Sequence, residues 1–96
     1  MNVNGIEYRV FDHEKVKVAE GDLFWNPVGG FTIQPTRVFE VNAGGFKYRN
    51  DRYVSTQSSK DSLDGILERV EEGRIVRYVS EGVFASLKKL SKDDKS

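Results

Sequence analysis

Cysteine is absent from this chain, which excludes disulfides, thiolate zinc sites and thiol chemistry and fits a reducing compartment. A cytoplasmic location is therefore the expectation. Apolar runs are short as well. The opening "MNVNGIEYRVFDHEK" carries charge from Glu7 onward and has neither the length nor the composition of a signal peptide or a membrane span. Net charge is missing too: 15 Lys and Arg balance 15 Asp and Glu, so no global field draws the molecule to nucleic acid or to an acidic membrane. At 96 residues there is room for one core and no second domain.

Histidine occurs once, which removes most catalytic constellations. His13 lies between Asp12 and Glu14, but neighbours on an extended segment point in different directions and do not converge on one substrate or metal. A zinc site would need three or four ligands, and carboxylates alone rarely supply them. Ser55, Ser58, Ser59, Ser62, Ser80 and Ser86 have no base besides His13, and no GxSxG elbow is present. Two glycine pairs, in "GGFTIQPTR" at 29–37 and "GGFKYRNDR" at 44–52, match neither the P-loop nor the dinucleotide fingerprint, and no helix signal follows either. Enzymatic activity, a cofactor and a metal are accordingly not expected.

What the chain has is turn residues set between apolar, β-prone segments. Glycine pairs offer positive φ at little steric cost, so Gly29-Gly30 and Gly44-Gly45 are read as hairpin turns. Alternation in "IEYRVF" and "KVKV" predicts strands with one buried face, and five short strands follow near 23–26, 31–34, 37–42, 46–49 and 52–56. "SLDGILERVEEG" places Leu63, Ile66, Leu67 and Val70 at i, i+3, i+4 and i+7, which predicts an amphipathic helix over 62–72 capped by Gly73. "RIVRYVS" reads as a strand returning to an edge of the sheet, "EGVFASLKKL" as a short C-terminal helix. The expected fold class is α+β: an antiparallel β-meander or small, partly open barrel of about six to eight short strands packed by one amphipathic helix. Residues 1–90 form the domain, and 91–96 are expected as a disordered polar tail.

Three clusters are candidates for function. On the expected helix, Asp64, Glu68, Glu71 and Glu72 form an acidic stripe with like-charge pairs at i, i+4, which a basic partner would relieve. Trp25 in "DLFWNPVGGF" adjoins Phe24. Strand neighbours face opposite ways, and although core placement is the ordinary fate of such a ring, an exposed tryptophan would anchor a partner. In "FKYRNDRY" the cations Lys47, Arg49 and Arg52 interleave with Tyr48 and Tyr53, a pattern that suits stacking on single-stranded RNA or DNA. The leading expectation is a non-catalytic protein-binding or regulatory module, an adaptor or inhibitor of the kind found among bacterial and phage accessory proteins. It would act through Trp25, Glu68, Glu71 and Glu72, as a monomer or homodimer and away from membranes. The alternative is a single-stranded nucleic-acid binder using Lys47, Tyr48, Arg49, Arg52 and Tyr53.

Overall fold

The computed structural model of the chain describes residues 1–25, 35–49, 54–57 and 59–95. Within them lie eight strands and one helix: β1 (Asn2–Val3), β2 (Ile6–Val10), β3 (Leu23–Trp25), β4 (Thr36–Asn42), β5 (Gly45–Arg49), β6 (Val54–Gln57), β7 (Ile66–Glu71), β8 (Arg74–Val79) and α1 (Glu81–Lys95). The first glycine pair, Phe31 and the strand expected at 31–34 lie outside the described residues, as do Arg52, Tyr53 and Ser58.

Local chemistry accounts for the tight connections. Asn4 and Gly5 take φ of 52° and 85°, Glu72 and Gly73 take 54° and 78°. Two successive left-handed residues make the primed turn whose twist matches the strands it joins, so β1–β2 and β7–β8 are two-residue hairpins. The chain does reverse between β4 and β5, but one residue before the expected Gly44-Gly45 turn: Ala43 and Gly44 form the tip, neither with positive φ, and Gly45 is already in β5, paired to Asn42.

The strands form one open, mixed sheet in the order β1-β2-β8-β7-β3-β4-β5-β6. From β3 to β6 it is an antiparallel meander, but β3 has β4 and β7 as its neighbours where the sequence reading joins 23–26 to a strand at 31–34. The sheet does not close into a barrel: β1 and β6 are its edges. Strand 74–79, expected at an edge, lies inside the sheet, between β2 in parallel and β7 in antiparallel pairing. No strand forms over "KVKV". Val16 and Val18 instead belong to the loop over 11–22 and pack on the core.

The helix expected over 62–72 does not exist; its second half is β7. Leu63 and Leu67 are buried, whereas Val70 is 69% exposed, so the four apolar residues do not share a face. Gly73 is the reason for the different outcome. A left-handed glycine serves a helix end and a primed turn equally well, and here the β-prone "RIVRYV" that follows supplies a strand to pair with.

One side of the sheet carries the core: Phe24, Val38, Phe46, Leu67, Val76 and Tyr78, covered by Val18 and Leu63 from the loops. Phe24 meets Phe46 edge-on at 5.2 Å and Tyr48 at 4.7 Å. Val38 and Val41 both pack on this side although they are an odd number of residues apart. A β-bulge at Phe39 makes that possible by inserting one residue into β4. Asp22 ties the covering loop down. Its buried carboxylate accepts bonds from Arg69 Nη2 at 2.6 Å, Arg69 Nε at 3.2 Å and the Ala19 amide at 2.9 Å. The C-terminal helix starts at a Ser80 cap, whose Oγ accepts the Val83 amide, and it contacts β2. It runs to Lys95, into the stretch expected as a disordered polar tail.

Candidate functional site

The opposite side of the sheet carries the candidate site. Successive register pairs run straight across seven strands: Tyr8 opposite Arg77, Arg77 opposite Glu68, Glu68 opposite Leu23, Leu23 opposite Arg37, Arg37 opposite Arg49, and Arg49 opposite Val54. Because side chains alternate along each strand, all seven project from the side away from Phe24 and Leu67. Six interstrand steps make this row roughly 29 Å long.

Arg77 organises one end. Its Nε donates to Glu68 Oε1 at 2.8 Å and its Nη1 to the Tyr8 hydroxyl at 2.8 Å. The guanidinium lies 5.1 Å from the centre of the Trp25 ring and 5.7 Å from that of Tyr8. Burial works against the Arg77 charge, but the bonds to Glu68 and Tyr8 outweigh it, and its pKa is raised. Trp25 belongs to a neighbouring apolar row, opposite Ile66, which in turn faces Val79. Val70 and Ile75 face each other on the same side, 69% and 41% exposed. Towards β6 the row becomes exposed and cationic through Arg37 and Arg49, with the Arg49 guanidinium 4.6 Å above the Phe39 ring.

The residues singled out from sequence are thus redistributed. Trp25 and Glu68 come together on one face, joined through Arg77. Glu71 lies on the other side, accepting a bond from the Tyr78 hydroxyl and pairing with Arg9 at 3.5 Å. Glu72 is in the β7–β8 turn and Asp64 in the loop before β7, so the acidic helical stripe does not form. Of the basic-aromatic set, Lys47 and Arg49 lie on the open face, and Lys47 is paired with Glu40 directly across from it at 3.5 Å. Tyr48 turns inward against Phe24, and burial raises its pKa above 10, so it offers no stacking platform on the surface. Arg52 and Tyr53 lie outside the described residues. Tyr8, Arg37, Phe39 and Arg77 are not singled out by any sequence motif. Their signal is the Glu72-Gly73 turn, because once that turn is placed the register puts Arg77 opposite Glu68.

His13 sits exposed in the turn after β2, lining an open cleft of about 960 Å³ between the loops and the start of α1. Its charges oppose one another, Arg9 and Lys15 against Asp12, Asp61 and Glu81, so the cleft has no marked preference. Among the described residues no three metal-ligating side chains cluster, and no helix is long and apolar enough to cross a membrane. Compared with protein-family models, curated proteins and solved structures, the chain matches none.

Proposed function

We propose that the chain is a non-catalytic binding module whose open sheet face receives another protein. The observation that supports this most is the composition of that face. Trp25 and Tyr8 flank an ion-paired arginine, and an exposed Val70–Ile75 pair lies on the same side. Tryptophan, tyrosine and arginine are the residues that dominate binding energy at protein interfaces. Here they stand on rigid strands, so little side-chain freedom is lost on contact. Single-stranded nucleic acid is the weaker reading, because the face that keeps Lys47 and Arg49 has lost Tyr48 to the core.

A photo-reactive amino acid placed at position 70 tests the reading in a lysate of the native host. It is expected to capture a discrete protein, and the same probe at position 61, in the cleft, is not. The double change Val70→Asp and Ile75→Lys, whose new charges face each other as an attractive pair, should abolish capture while leaving the circular dichroism spectrum unaltered. Capture from position 61 alone would move the interface to the cleft and end the proposal.

A further inference from the structure

Strands β4 and β5 carry two charged pairs in direct register, and only one of them is matched. Glu40 faces Lys47, an ordinary attractive pair. Arg37 faces Arg49, both exposed and on the same side. Like charges directly opposite each other on adjacent strands destabilise a sheet. The two guanidinium groups are nonetheless held in place from below. Arg37 Nη1 donates to the Gly21 carbonyl at 3.0 Å, and Arg49 rests on the Phe39 ring. Both side chains are exposed, and a guanidinium has five N–H donors in the planar fork that suits carboxylate and phosphate. Among the described residues, the ion pairs take up Arg9, Lys47, Arg69 and Arg77 and no carboxylate sits on this pair; Asp51 lies outside those residues.

We infer that the partner presents an acidic residue, set in an otherwise apolar segment, to the Arg37–Arg49 pair. The inference rests on the sheet face being a protein-binding surface and adds the chemistry of its partner. The surroundings favour a peptide carboxylate over a polyanion. Leu23 and Val54 flank the arginines in the row, and Glu40 and Glu68 stand on the same face. A continuous phosphate backbone would meet those two acids, and a neutral molecule lacks the field that draws nucleic acid in. A single carboxylate between two guanidinium groups avoids both problems.

The test uses a random twelve-residue peptide library on phage, selected against the full chain, with a fluorescent fifteen-residue oligothymidylate as the competing probe. Peptides selected by the wild type should carry Asp or Glu beside apolar residues and lose at least about tenfold in affinity on Arg49→Glu. The double change Arg37→Glu and Arg49→Glu should reverse the preference to Lys and Arg. Arg49→Glu, which leaves the Arg37 anchor in place, should not lower the unfolding temperature, since it turns a repulsive pair into an attractive one. Selected peptides without acidic enrichment, yet lost on Val70→Asp with Ile75→Lys, would overturn the inference and leave the protein-binding reading standing. An empty selection would remove both. Oligothymidylate binding that Arg49→Glu abolishes would assign the pair to nucleic acid, and a fall of several degrees in unfolding temperature would show the arginines to be structural.

Discussion

A β-carbon on Gly65 would stand 2.5 Å from the Trp25 carbonyl oxygen and 2.8 Å from two ring atoms of Phe24. Neither neighbour has room to withdraw. The carbonyl belongs to the backbone of β3, and the Phe24 ring is fully buried against Phe46 and Tyr48. Gly65 therefore sets how closely the loop before β7 approaches β3, and with it the seating of the central aromatic ring. Gly65→Ala is expected to cost about 1–3 kcal/mol through overpacking, read as a lower urea midpoint with unchanged slope. Gly82 is its control. It lies in the first turn of α1, where an added methyl would meet nothing within 4 Å, so Gly82→Ala should be neutral or stabilising by up to about 1 kcal/mol. Equal losses at both positions would mean that the contact at Gly65 is not what constrains it.

At the scale of the element, the β7–β8 hairpin depends on a residue that its turn does not favour. Glu72 holds φ of 54°, a conformation that asparagine tolerates far better than glutamate. Glu72→Asn should stabilise the fold by a few tenths to about 1 kcal/mol, and Gly73→Ala, at φ 78°, should destabilise it by about 1 kcal/mol or more, both measured by denaturant titration. The reverse order would place the turn elsewhere. This hairpin also marks the limit of what is legible in the sequence. Strands near 37–42 and 46–49 can be read because alternation and turn residues are local signals, and a reversal between them follows, although the structure turns at Ala43-Gly44 and not at Gly44-Gly45. Leu63 and Leu67 cannot decide between helix and strand, because a spacing of four residues satisfies both periods. Ile66 and Val70 can decide it, since in the structure they project away from Leu67. Trp25 and Glu68 do share a surface, but through a cross-strand row that no local pattern encodes.

Over the whole molecule, the main core cluster on one side of the sheet joins parts distant in the chain. β2 and β8 are parallel neighbours, Tyr78 sits beside Leu67, Leu67 beside Phe24, and Phe24 reaches Tyr48 on β5. Tyr48 and Tyr78 therefore report on opposite halves of one cooperative unit. Burial raises the pKa of each above the ordinary 10, and for Tyr78 the bond its hydroxyl donates to Glu71 adds to the effect, since ionisation would destroy that bond and set two negative charges together. A tyrosine with a raised folded-state pKa keeps its proton where the unfolded chain has lost it. Its stabilising contribution is therefore complete below about pH 10 and disappears as the pH rises through the folded-state value. Stability should fall above about pH 10, with tyrosinate absorbance, tryptophan fluorescence and circular dichroism changing together. Tyr48→Phe and Tyr78→Phe should each reduce that alkaline loss, because each removes one ionisation the fold resists. If the two halves were independent, tyrosinate would appear in two separate steps and each substitution would alter only its own.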